Sequence, residues 1–267
     1  MRFYKMDFWA VKDGRVEDWK GKKTARQAHQ HSVTYQQKQR IPRVDGMVGS
    51  LLLPGAKVLE VGCGYGETLA YLYKQYEAVA YAVEPSDDAV AYMNESHPYI
   101  EIIGRSAEEL FDNHNFDAMF DFVIFSCCLA NILDVNQMLA TTRRLLRDDG
   151  RLYIDIANLY WSGAMNPYHP IVVTPETLLA FLHKHGFEMM RIDTDRPPAN
   201  VLTDSLRRHK RWFNLLAVKA QASEGRPSPV MPRAEDVIKA FRVSRKVLAL
   251  QARMSRLKRA ITRRLRS

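Results

Sequence analysis

The chain has 267 residues, 46% hydrophobic and 26% charged, with 39 Lys and Arg against 30 Asp and Glu for a formal charge of +9. That length suits one α/β domain plus an appendage, and the balance of apolar and charged residues excludes a fibrous repeat or a wholly disordered chain. No apolar run approaches the ~18 residues of a membrane span, and the N-terminus MRFYKMDFWAVKDGRVEDW lacks the unbroken apolar segment of a secretion signal, so a cytoplasmic protein is expected.

Residues 1–56 are polar and mixed in charge, and helices predicted near 24–40 and 44–53 would make them an N-terminal helical cap or lid. From Lys57 short apolar runs alternate with helical stretches, the pattern of a parallel sheet covered on both faces. Strands are predicted at 58–61, 78–83, 100–103, 120–125, 151–157, 188–194 and 213–219. Helices are predicted at 67–75, 87–96, 135–146 and 175–185, with a shorter one at 107–111. Asp148-Asp149-Gly150 predicts a turn before the fifth strand, while Thr174 and Pro175 start a helix that Gly186 ends. No helix separates the last two strands; the segment 195–212, with Pro197-Pro198, reads as loop, which lets the seventh strand lie antiparallel beside the sixth. The core spans 57–220.

Residues 221–234 contain three prolines and read as an extended linker, after which 235–267 return to a helical pattern. Basicity is concentrated here: 221–267 hold 13 Lys and Arg against three acids, a net +10, which leaves the first 220 residues at −1. Val243, Val247, Leu250, Met254, Leu257 and Ile261 form an apolar seam, and no acid occurs from Lys239 to Ser267. Two such helices would repel each other, so an anionic membrane surface is the expected partner of 235–267, with an acidic protein or a homo-oligomeric coiled coil as alternatives. Nucleic acid is disfavoured, because the core is nearly neutral and the tail has no aromatic beyond Phe241 for stacking on bases. Cys63, Cys127 and Cys128 make neither a disulfide framework nor a metal-ligand set and read as packed thiols, so no metal is expected.

The chemistry concentrates in VLEVGCGYGET, 58–68, an apolar strand running into a glycine-rich turn and a helix. Such a junction lets bare backbone approach a ligand. Gly62, Gly64 and Gly66 have the spacing G-x-G-x-G, whereas a dinucleotide pyrophosphate site needs G-x-G-x-x-G, and Glu67 holds that last position. Glu60, just before the turn, favours a cationic ligand. Glu84 ends the second strand, where a carboxylate can accept hydrogen bonds from both hydroxyls of a ribose, which implies an adenosine ligand without a 2′-phosphate.

These residues resemble the class I S-adenosylmethionine-dependent methyltransferases over roughly 57–220. The resemblance implies a Rossmann-like, seven-stranded, mostly parallel α/β sheet with the last strand antiparallel, and a basic amphipathic helix follows it here. It also implies that S-adenosyl-L-methionine is the cofactor and methylation the activity. Carried onto this chain, Glu60 would hold the methionine amino group, the turn from Gly62 to Gly66 would make room for the methionine portion and Glu84 would bind the ribose. Ser106 stands where relatives often carry an aspartate toward adenine, and Ala107 would present its backbone N–H to the ring. Ser126, ending the fourth strand, would complete the donor set. Many relatives carry a Glu and a His after that strand; this chain has Ala130 and Asn131, so no role transfers to that pair.

A hydroxyl acceptor needs a group to take its proton. His169, in the loop after the fifth strand, is the leading candidate, against the reading that it is a structural residue between Pro167 and Pro170; Asp134, His29 and His31 are alternatives, and Tyr35 would belong to a lid. The donor motif and the basic tail together suggest O-methylation of a glycan or lipid-linked acceptor by a peripheral enzyme at the cytoplasmic membrane face. Methylation of a small metabolite, a quinone-like molecule or RNA is the enzymatic alternative. An inactive scaffold that recruits partners through its tail is the non-enzymatic one.

Overall fold

The computed structural model describes residues 11–12, 15–18, 21–159, 171–193 and 212–220. His169, nearly all of the predicted 195–212 loop, the linker and the basic tail lie outside the described residues.

A small antiparallel sheet opens the described chain: β1 (Val11–Lys12), β2 (Arg15–Asp18) and β3 (Gly21–Thr24). None of these strands was predicted, because runs such as RVED and GKKT carry no apolar alternation. Helix α1 (Ala25–Tyr35) follows and passes through a π-helical turn, Gln36–Arg40, straight into α2 (Ile41–Val48). The break predicted between 40 and 44 is therefore absent. Pro42 is the second residue beyond the π turn, and its missing N–H interrupts the helical hydrogen-bond ladder at that point.

The main sheet and its helices follow as β4 (Lys57–Val61), α3 (Glu67–Tyr76), β5 (Val79–Val83), α4 (Asp87–Ser96), β6 (Glu101–Gly104), β7 (Phe120–Ser126), α5 (Val135–Leu145), β8 (Leu146–Ala157), α6 (Pro175–Lys184), β9 (Phe187–Asp193) and β10 (Trp212–Lys219). The seven strands lie in the order β6-β5-β4-β7-β8-β10-β9. β10 is antiparallel to both neighbours and inserts between β8 and β9, so it lies beside the sixth core strand as expected and pairs with the fifth as well. The turn predicted at 148–150 is instead a bulge within β8. Phe120 pairs with Leu146 and Phe122 with Arg151, so the residues at 147–150 stand opposite Asp121 alone. Gly150 allows the close approach, since a Cβ there would sit 2.9 Å from the carbonyl oxygen of Phe120.

Alternation along the buried strands builds a core on each face. Leu59, Val123, Phe125, Ile154 and Leu215 face α5 and α6, while Val58, Phe122, Ile124, Tyr153 and Leu216 pack with Val44, Met47 and Val48 of α2 and Leu69 and Leu72 of α3. This second face carries the site.

Candidate functional site

Beyond β4 the chain turns through Gly62, Gly64 and Gly66 at φ of 71°, 61° and 75°, the left-handed region that side chains make costly. A Cβ on Gly62 would lie 2.5 Å from Cys128 Sγ, and one on Gly66 2.8 Å from Met93 Sδ, so backbone must pass here bare. Glu84, at the end of β5, fixes the turn. Its Oε2 accepts the Gly64 N–H at 2.7 Å and its Oε1 the Ser86 N–H at 2.9 Å. Burial pushes the Glu84 carboxyl up and these two donors oppose the shift. Each oxygen still has a lone pair for a further donor.

Glu60 is fully buried, and neither of its carboxylate oxygens has a partner. Burial pushes its pKa up to about 8, with the Arg40 guanidinium opposing and Glu84 adding to the shift. An uncompensated buried acid costs upward of ~1–3 kcal/mol, which a cationic group against it would recover. Ser106 is buried at the start of the short turn Ala107–Leu110, where its hydroxyl makes no capping bond. Ser126 is fully buried with its Oγ unpartnered.

Over these strand ends lies a roof made by α1, the π turn and α2. Gln37 Nε2 donates to Glu67 Oε2 at 3.0 Å, and the His29 ring packs 4.4 Å from that of Tyr65 and 4.6 Å from that of Tyr92, which fastens the roof to α3 and α4. Gln36, Arg40 and Arg43 recur at helical spacing. Gln36 is buried against Gly64, whose Cβ would meet its Nε2 at 2.8 Å. Arg43 Nη2 lies 3.2 Å from Asp155 Oδ2 and donates to the Tyr35 hydroxyl at 3.3 Å. The Arg40 guanidinium stands 5.9 Å from the centre of the Tyr35 ring, and its Nε is buried without a partner. Burial raises the Asp155 carboxyl, against the pull of Arg43 and Arg40. Cys127, at φ 60°, donates its thiol to Asp155 Oδ2 at 3.5 Å. Burial pushes both Cys127 and Cys128 up to about 12, so these thiols stay neutral. No group of side chains fit to hold a metal ion occurs among the described residues.

The structure thus brings together Glu60, Gly62, Gly64, Gly66, Glu84 and Ser126, with Ser106 and Ala107 following β6. Asp134 is exposed at the N-terminus of α5, where its Oδ1 accepts the Gln137 N–H at 2.8 Å, the contact of a helix cap. The His29 ring packs on Tyr65 and Tyr92 with its Nε2 buried and unpartnered, and Tyr35 belongs to the roof. Sequence reasoning missed Gln36, Arg40, Arg43 and Asp155. Two signals could have found them: the i, i+4, i+7 spacing of the first three, and a lone acid inside the apolar strand LYIDIA.

A family described as a methyltransferase domain matches residues 59–154. A ubiquinone biosynthesis O-methyltransferase of Xanthomonas oryzae pv. oryzae is 31% identical over 119 residues, 43% of this chain and 49% of that protein. The chain therefore spans about half the length of the curated relatives it matches. Among solved structures, Haemonchus contortus phosphoethanolamine N-methyltransferase 2 in complex with S-adenosyl-L-methionine has a TM-score of 0.53 at 15% identity, over 70% of this chain and 53% of that one. The 1,6-didemethyltoxoflavin-N1-methyltransferase of Burkholderia thailandensis has a TM-score of 0.52 at 18% identity, over 72% and 84% of the two chains. Likeness at such identities is likeness of fold, and it agrees with the strand order and the glycine turn described above. Residues 59–154 thus match a methyltransferase domain, and they lie within a fold shared with those two solved methyltransferases.

Proposed function

We propose that this protein methylates a hydroxyl oxygen of its acceptor with S-adenosylmethionine as donor. The observation that carries the reading is Glu60, a fully buried carboxylate with no partner on either oxygen, beside a three-glycine turn that Glu84 holds in shape. These residues fit the donor. Glu60 would take its amino group, Glu84 its ribose hydroxyls, the bare turn its methionine portion, and Ser106 with the Ala107 N–H its adenine. When bound, the donor supplies a methyl group already activated by a sulfonium. The protein then has to hold the acceptor in line, exclude water and accept a proton. His169 remains the proposed proton acceptor and lies outside the described residues.

Oxygen is favoured as the acceptor atom because the Xanthomonas relative is an O-methyltransferase. A glycan or lipid-linked acceptor at a membrane face is supported by the +10 tail and its apolar seam, with about 1 kcal/mol per basic residue near an anionic leaflet. No described helix is long and apolar enough to cross a membrane. A quinone-like small molecule is the second reading, favoured by the name of the same relative.

Calorimetry with S-adenosylmethionine tests the donor, and methyl-labelled donor incubated with separated membrane and soluble extracts tests the acceptor. The reading expects binding, then label on oxygen in a membrane-extracted glycan or lipid. Absence of donor binding, or label on nitrogen, would overturn it. A chain ending at Ala220 should bind donor as before and lose its hold on anionic vesicles; equal vesicle binding removes the membrane from the proposal.

A further inference from the structure

We propose that Ser126, Asp155 and Asn214 form a subsite that binds hydroxyl groups of a polyhydroxylated ring, held under Arg43. The proposal rests on the methyltransferase reading for calling this ligand the acceptor, and it assigns Ser126 to the acceptor rather than the donor.

The sheet register places the three side chains in a row. Glu60 pairs with Ile124, two residues before Ser126 on the same face of β7; Ser126 pairs with Asp155, and Asp155 with Asn214. Paired residues of neighbouring strands share a face about 4.8 Å apart, so the row runs from the donor acid across β7, β8 and β10. One level deeper on the same face the residues are Ile124, Tyr153 and Leu216, which belong to the apolar core. The hydroxyl, carboxylate and amide of the row thus lie at the strand ends, where open α/β sheets bind ligands, with the buried Tyr153 hydroxyl one level below them.

Each member is buried and incomplete. Ser126 and Asp155 are 0% exposed and Asn214 3%, and Ser126 Oγ, Asp155 Oδ1 and Asn214 Oδ1 all lack a hydrogen-bond partner. Three such groups in line are a standing cost that a ligand bringing donors removes. Asp155 Oδ1 and Asn214 Oδ1 accept only, so the ligand must donate to them. An ammonium group is a poor match, because Arg43 already pairs with Asp155 and Arg40 adds a second positive charge nearby. Hydroxyls bring donors without charge. A ring bearing several of them presents donors at separations comparable to the strand spacing. The Arg43 side chain is 20% exposed, so it links the row to solvent.

Saturation-transfer NMR on the full chain, with and without S-adenosylhomocysteine, tests the row, with myo-inositol as probe and cyclohexanol as comparator. Transfer to myo-inositol should exceed transfer to cyclohexanol. It should fall about fivefold or more in Ser126→Ala and Asn214→Leu, each the loss of roughly one hydrogen bond, while S-adenosylhomocysteine affinity stays within about twofold. Asp155→Ala should abolish it. Should that variant fail to fold, Asn214→Leu still decides, since it is close in shape and lies outside the Arg43–Asp155 pair. Equal transfer to both rings, equal transfer to wild type and variants, or none to a wild type that binds S-adenosylhomocysteine overturns the subsite alone. Loss of donor and product binding in the wild type overturns the methyltransferase reading instead.

Discussion

At the β4–β5 end of the site Glu84 commits both carboxylate oxygens to the backbone N–H groups of Gly64 and Ser86, whereas at the β7–β10 end Ser126, Asp155 and Asn214 each keep an oxygen without a partner. The first end holds its shape through contacts between segments close in sequence. The second is assembled from strands far apart in the chain and roofed by helices from before the sheet. Shape without ligand and polarity without partner are different preparations for binding: one keeps a turn open for a ligand to enter, the other leaves hydrogen bonds for the ligand to complete.

The largest effect should come from breaking the preformed end. Gly62→Val adds left-handed strain of ~1–2 kcal/mol and overpacking of ~1–3 kcal/mol against Cys128, so S-adenosylmethionine affinity should fall about a hundredfold. Calorimetry showing wild-type affinity would move the donor away from the turn. Glu84→Ala comes next. It leaves the Gly64 and Ser86 N–H groups unpaired, at ~1–3 kcal/mol, and should weaken donor binding by roughly ten- to a hundredfold. An affinity unchanged in that variant would make Glu84 a prop for some other site.

Glu60 sharpens the comparison through pH. Its folded pKa, about 8, lies above the ~4.3 of an ordinary glutamate, so between those values the folded, ligand-free chain keeps a proton that the unfolded chain has lost. The stability this contributes is complete at low pH and is lost as pH rises toward 8. Glu60→Gln should therefore flatten the fall in Tm across that window. A cationic donor group needs the ionised acid, so donor affinity should rise from pH 6 to pH 8 with proton release on binding. Calorimetry in two buffers of different ionisation enthalpy reads that release, and its absence would detach Glu60 from the donor's cation. The smallest effect belongs to Asp134→Ala, which removes a helix cap at a cost of ~0.5–2 kcal/mol and should leave donor binding intact. Turnover lost without any drop in Tm would return Asp134 to the chemistry.

Glu60, the three glycines and Glu84 were legible because they lie on one continuous strand–turn–helix–strand path, where the order of residues dictates the order in space. Arg40 and Arg43 were hidden in a segment that reads only as a polar cap. Their aim toward Glu60 and Asp155 depends on the π turn, which rotates the face of α2 relative to α1. Asn214 was harder still. Nothing near it in sequence marks it, and it meets Asp155 only because β10 enters the sheet between β8 and β9.

Apolar periodicity and glycine spacing determined, from the sequence alone, an α/β sheet with a ligand turn after its first strand, because strand, turn and helix are local structures whose residue preferences act over a few positions. The roof over that turn and the polar row beside it were decided by tertiary structure. They depend on which strands become neighbours and in what register, and a shift of one residue in β10 would turn Asn214 to the opposite face of the sheet.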